Sequence, residues 1–259
     1  MLQSLFGLEW VLRSMLRTAE QMLFFENIST GVRVTEKQYP SMHSMLKEAC
    51  EVLDVPVPQL YVRQNPVPNA YTLAVQGNQP FIVVHSSLIE LVTPQELQAV
   101  LAHELGHLKS EHGVWVTMAN LLVLLSSSTL GSTLGNVVYE LLNRQLMAWQ
   151  RAAELTCDRA MLLVMQDKKI AMSALMKLTG GVSKYSDEMD LDEFLAQAEQ
   201  FDEASKSRMG SFLRQSITTS ATHPLPILRA RELNRWSESN HFRSLLRSGK
   251  PLQVASKAE

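Results

Sequence analysis

The sequence predicts an α+β fold, mainly α-helical, with a small antiparallel sheet set directly before one central helix. Three observations lead there. Apolar residues recur every three or four positions through much of the 259-residue chain. Three short β-type runs cluster between residues 60 and 84. A well-signposted helix, Thr93 to about Glu111, follows at once. The 46% hydrophobic and 19% charged fractions describe an ordinary globular protein. The length suits a single domain over 1–259, with an amphipathic segment at 1–31, a core at 32–248 and a tail at 249–259. A formal net charge of −2 leaves no basic excess for neutralising phosphates, which argues against a nucleic-acid partner. Cys50 and Cys157 cannot build a disulfide framework and fit a reducing compartment. The N-terminus lacks the basic region and cleavage site of a signal peptide, so the expectation is an intracellular protein, cytoplasmic or peripheral on a membrane, and not a secreted one.

Within residues 2–25, Leu5, Leu8, Leu12, Met15, Leu16, Ala19 and Leu23 form a helical stripe, with Arg13, Arg17 and Glu20 largely off it. Such a helix packs on its own domain or lies on a membrane surface. Pro40-Ser41 opens a second helix running to Leu53, with Met42, Met45, Leu46, Ala49, Cys50 and Leu53 inward. Val55-Pro56-Val57-Pro58 ends it. The β-type runs are Leu60–Arg63, Tyr71–Val75 and Phe81–Val84, parted by Pro66 and Pro68 and by a Gly77-Asn78 turn. Phe81–Val84 is a candidate edge strand, to which an extended peptide could add through main-chain hydrogen bonds. The alternative is a plain core strand.

The next helix carries the chemistry. Thr93 is a good N-cap, Pro94 suits the first helical position and Glu96 completes a capping box. Leu97, Val100, Leu101, Leu105 and Leu108 give its apolar face. His103 and His107 then stand one turn apart on one face, where two imidazoles can bind a single Zn²⁺. Glu104, beside the first, can serve a metal-bound water as general base. Taken alone, the pattern His-Glu-x-x-His also occurs by chance in helices with surface histidines.

Val114 to Tyr139 contains no charged residue. Ser126–Thr129 and Gly131–Thr133 split it into two apolar pieces, each too short for an ordinary membrane span. The reading is a hydrophobic helical hairpin packed in the protein, with membrane contact through 1–25 or 114–139 left open. A long helix follows from about Glu140 through Met165, with Arg151, Glu154 and Asp158 in an otherwise apolar turn. Carboxylates in that setting need a cationic or metal partner. Cys157 reads as a buried structural thiol. Residues 180–215, with an acidic run from Asp187 to Glu193, read as a mobile lid. Ser220–Pro226 is a rigid polar turn, and Arg229, Arg231 and Arg235 lie on the helix beyond it.

Catalytic zinc keeps three protein ligands. Ser110 and Gly113 break the pattern that would place a third histidine just downstream. His112 lies about 140° round the helix from His107. Glu154 is the best third ligand, and Asp158, one turn on, can accept the free N–H of His103 and set its tautomer.

The ordered set Asn69-Ala70-Tyr71, the His103-Glu104-Leu105-Gly106-His107 helix, Arg151-x-x-Glu154-x-x-x-Asp158 and Thr222-His223-Pro224 with Arg229 resembles the HtpX / CaaX prenyl endopeptidase family of zinc metalloproteases. The resemblance runs from about Ser41 to Leu233 and is closest to compact members, since few segments here could span a membrane. It implies a gluzincin core binding one Zn²⁺ through His103, His107 and Glu154, with Glu104 as the base. It implies that His223, supported by Arg229, binds substrate or stabilises the oxyanion. Asn69, Ala70 and Tyr71 of the matched set, and Ile82 and Val83 of the strand along which substrate would lie extended, are the expected contacts to a peptide or protein substrate. The implied activity is endopeptidase cleavage, with a place in protein quality control near a membrane. Two alternatives stay open at this point: a zinc hydrolase of a non-peptide amide, and a catalytically inactive zinc-binding adaptor. Nothing in the sequence sets an oligomeric state.

Overall fold

The structure, a computed structural model, describes residues 21–22, 24–73, 80–110, 132–220 and 224–249. The expected N-terminal amphipathic helix lies mostly outside the described residues. So do the first part of the 114–139 hairpin, His223 and the tail beyond 249. Residues 24–30 are helical and lead into strand β1, Gly31–Arg33.

Helix α1, Pro40–Leu53, buries Met42, Leu46, Ala49, Cys50 and Leu53, the face expected from their spacing. Strands β2 (Gln59–Arg63), β3 (Ala70–Leu73) and β4 (Phe81–His85) join β1 in one four-stranded sheet ordered β1-β2-β4-β3. The expectation of an antiparallel sheet is corrected here. β1 and β3 are antiparallel to their neighbours, but β2 and β4 run parallel.

The expected edge strand also moves. β4 lies in the middle of the sheet, with Leu60 on one side of Ile82 and Thr72 on the other. All five of its residues are buried. An unbroken apolar run such as Phe-Ile-Val-Val suits a strand covered on both faces, and a central position also pairs both rows of its backbone polar groups. The edge near the candidate site is β3.

Helix α2, Ser86–Leu91, turns the chain into α3, Pro94–Lys109. The capping box is formed as expected: Glu96 N–H donates to the Thr93 hydroxyl at 3.3 Å, and Thr93 N–H donates to Glu96 at 2.7 Å. Helix α4 runs 34 residues, Ser132–Met165, and so begins inside the stretch assigned to the hairpin. Helix α5, Lys168–Gly180, packs on α3. Its Lys177 and Ser173 donate to the capping carboxylate of Glu96 at 2.8 and 2.6 Å.

The segment 180–215, expected to be a mobile lid, contains a 3-10 turn (Ser183–Glu188), helix α6 (Leu191–Ala204) and most of helix α7 (Arg208–Ser220). Phe194 and Ala198 anchor α6 in buried contacts. Asp202 receives Arg214 from α7 at 2.8 Å and also pairs with Arg231 of the next helix. Helices α8 (Pro226–Ser237) and α9 (Asn240–Ser248) close the described chain.

The main core lies between one face of the sheet and helices α1, α3, α4, α5 and α8, with Leu46, Leu60, Ile82, Leu101, Leu105, Met161 and Leu175 at its centre. A smaller cluster of Tyr61, Phe81 and Val83 covers the opposite face of the sheet. Among the described residues, no helix is long and apolar enough to cross a membrane.

Candidate metal centre

Two helices make the site. Gly106 allows them to come together, because a Cβ at that position would lie 2.9 Å from the Cα of Cys157 on α4. Close backbone approach brings the motif turn of α3 against the Glu154–Asp158 turn of α4. His103 and His107 stack edge to face with ring centroids 5.1 Å apart. Their Nε2 atoms both turn toward Glu154. The His103 Nε2 lies 3.4 Å from one carboxylate oxygen, and the His107 Nε2 lies 3.5 Å from the other. Two donors held about 2.1 Å from a tetrahedral zinc stand roughly 3.4 Å apart. Two imidazoles and one carboxylate, at these separations and almost out of water, therefore fit the donor set of a catalytic zinc. Cys157 Sγ also lies within 4.8 Å of both imidazole donors. Glu154 is the better third donor, because it meets both Nε2 atoms directly. Burial pushes the Cys157 thiol well above its usual range, as do the nearby carboxylates, and its Cβ lies against Gly106.

Behind the histidines lies a buried ion network. Asp158, 1% exposed, sits 3.1 Å from His103 Nδ1, so the Nδ1–H donates to it and Nε2 is left to face Glu154. Arg229 grips Asp158 with two bonds, Nε to Oδ2 at 2.9 Å and Nη2 to Oδ1 at 2.6 Å, while its Nη1 is 3.3 Å from Glu154. Burial would raise the Asp158 carboxyl, but Arg229 and His103 overcome it and hold the group below its ordinary value. Burial would likewise lower His103, yet Asp158 and Glu154 outweigh it and push the imidazole up to about 9. Glu104 is 8% exposed, and burial pushes its carboxyl upward against the pull of His103 and Thr72.

The other expected residues divide. Asn69 lies at the mouth of the edge strand, where its carbonyl accepts from His85 N–H at 2.9 Å. Ala70 packs on the main core, whereas Tyr71 lies on the opposite face and donates to Asn27 at 3.2 Å. Ile82 and Val83 are 0% exposed and enclosed between β2 and β3, so they are removed as direct substrate contacts. Arg229 is engaged by the two carboxylates, and any support it gives His223 involves a residue outside the described ones. Thr72 was not expected at the site. Its hydroxyl donates to Glu104 Oε2 at 2.7 Å. Strand alternation could have put Thr72 and Ala70 on one face, but only the sheet order brings that face to Glu104.

The model of peptidase family M48 matches residues 36–237, and the chain belongs to that family. It is 53% identical over 228 residues to the plastoglobule-localized metallopeptidase 48, chloroplastic, of Arabidopsis thaliana, covering 88% of this chain and 66% of that protein. It is 37% identical over 93 residues to protease HtpX homolog 2 of Methanosarcina acetivorans, covering 36% of this chain and 32% of that one. Of the solved structures, that of S. mikatae Ste24p is similar in fold, with a TM-score of 0.54 at 15% identity over 86% of this chain and 56% of that one. The chain thus spans about a third to two thirds of the length of these relatives. The HtpX-like, mainly helical α+β core expected from the ordered motifs is shown by these matches.

Proposed function

We infer that this protein is a zinc-dependent endopeptidase. One observation carries the reading: two helices far apart in sequence turn two imidazoles and a carboxylate toward one point, with a second buried carboxylate, Glu104, on the same turn. His103, His107 and Glu154 would hold the ion. Zinc, when bound there, supplies a Lewis acid for water and for the scissile carbonyl. Asp158 keeps the Nδ1 proton of His103 in place, and Arg229 neutralises the carboxylates that would otherwise crowd one another. Glu104 takes one proton from the attacking water as its oxygen bonds to the carbonyl carbon. It returns that proton to the departing amine as the C–N bond breaks. Among the described residues β3 is the end strand of the sheet, and its outer main-chain groups would pair with an extended peptide. His223 keeps its motif-based assignment to substrate or oxyanion.

The deciding measurement is zinc content together with chelator-sensitive casein hydrolysis, wild type against Glu104→Gln. The Gln variant should keep its zinc and lose about 10²- to 10⁴-fold in rate. Full activity in that variant removes the base assignment. Zinc bound with no hydrolysis by wild type would favour the inactive adaptor.

A further inference from the structure

The geometry points to Thr72 as a positioning residue that fixes the Glu104 carboxylate for proton transfer and ties it to the strand edge where a peptide would bind. The assignment rests on the reading of Glu104 as the base. Thr72 lies on β3, paired with Ile82 of β4, and its side chain faces α3 across the main core side of the sheet. Its single hydroxyl proton has two acceptors in reach, both on Glu104. These are the side-chain Oε2 at 2.7 Å and the main-chain carbonyl at 3.2 Å.

The shorter, charge-assisted contact is the stronger. Holding Oε2 fixes the plane of the carboxylate and leaves the other oxygen to receive the proton from water. A glutamate has three rotatable bonds before that plane is set, so an anchored oxygen removes freedom that proton transfer would otherwise have to overcome. β3 is also the end strand of the sheet on this side. A peptide adding to it would be registered by the same strand, Ala70–Leu73, whose Thr72 holds the base. The scissile carbonyl and the proton acceptor would then share one rigid reference.

The test uses the zinc-loaded full chain and a quenched fluorescent peptide taken from casein, so that kcat and KM separate. Thr72→Val keeps the branched shape and removes the hydroxyl, whereas Thr72→Ser keeps the hydroxyl. The Val variant should lose about 10- to 100-fold in kcat with KM and zinc content unchanged, and the Ser variant should recover most of the loss. Wild-type kcat in a zinc-replete Val variant overturns the proposal. If the Val variant does not fold, Thr72→Ala replaces it, and equal kcat for Ala and Ser variants overturns the proposal.

A readout independent of turnover is the Thr72 hydroxyl proton in NMR spectra of the zinc-loaded protein. It should exchange slowly, and Glu104→Ala, which leaves only the main-chain carbonyl as acceptor, should speed that exchange. An unprotected hydroxyl in the wild type sinks the assignment. Glu104→Gln distinguishes the two levels. If it is fully active, the base reading and the Thr72 role both fall. If it is inactive beside a fully active Val variant, Thr72 alone is rejected.

Discussion

At the scale of single residues, the site is a balance of buried charges. His103 holds two carboxylates near it, and Arg229 supplies the compensating cation. Asp158 is the member on which the others depend, since it accepts from both His103 and Arg229 and is 1% exposed. Truncating it leaves Arg229 short of a partner and His103 free to turn. Asp158→Ala should weaken zinc binding about 10- to 100-fold in a chelator competition. It should also cost about 3–5 kcal/mol in urea unfolding, because one member of a buried pair is left behind. The residues of the motif helix were legible in the sequence because their relation is local: positions four apart in a helix share a face wherever the helix lies. The burial of Glu154 and Asp158 was also legible, from the apolar company they keep. Thr72 was not, because its role depends on which strand neighbours β4.

At the scale of elements, two contacts set where the motif helix sits. Gly106 lets α3 approach α4, and a methyl group there meets the Cα of Cys157 at 2.9 Å. Gly106→Ala should push the helices apart and lower zinc affinity at least about 10-fold while far-ultraviolet circular dichroism stays helical, given that ligand geometry tolerates only small displacements. Glu96 makes the second contact. It caps α3 and also accepts from Lys177 and Ser173 of α5. Burial would raise its carboxyl, but these bonds prevail and hold it below the ordinary 4.5.

A carboxyl lowered in the folded state stabilises fully above its unfolded value, and that stabilisation is lost as pH falls through the lower folded value. Glu96→Gln should therefore cost most at neutral pH, with the gap between the two proteins closing as urea titrations move below about pH 4. The capping box could be read from Thr93 and Glu96 alone. Its tie to α5 could not, since Lys177 lies 81 residues further on.

At the scale of the whole molecule, the proposed zinc ligands and the groups that orient them come from α3, α4 and α8. An ion joining the first two with the third behind them stabilises the native state only, so its binding adds to stability by mass action. Zinc at about 100 times its Kd should add about 2.7 kcal/mol, seen as a fall in Tm when EDTA is added. An unchanged Tm would mean that the native state was not holding the ion.

The segment 180–215 shows the limit of composition as a guide. Its acidic run gave no sign of the helices there: Phe194 and Ala198 bury one face of α6, and the exposed acids Asp192 and Glu193 lie in its first turn.

By itself the sequence determined helices α1 and α3 and the later part of α4, their inward faces, the capping of the motif helix and the two carboxylates and two imidazoles suited to a metal. All of these follow from periodicity and local spacing. Only the tertiary structure decided that β4 is central and β3 the edge, that α3 and α4 meet at Gly106, that Arg229 grips Asp158 and that Thr72 reaches Glu104. Those relations depend on strand order and helix packing, which join residues far apart in the chain and leave no periodic trace in it.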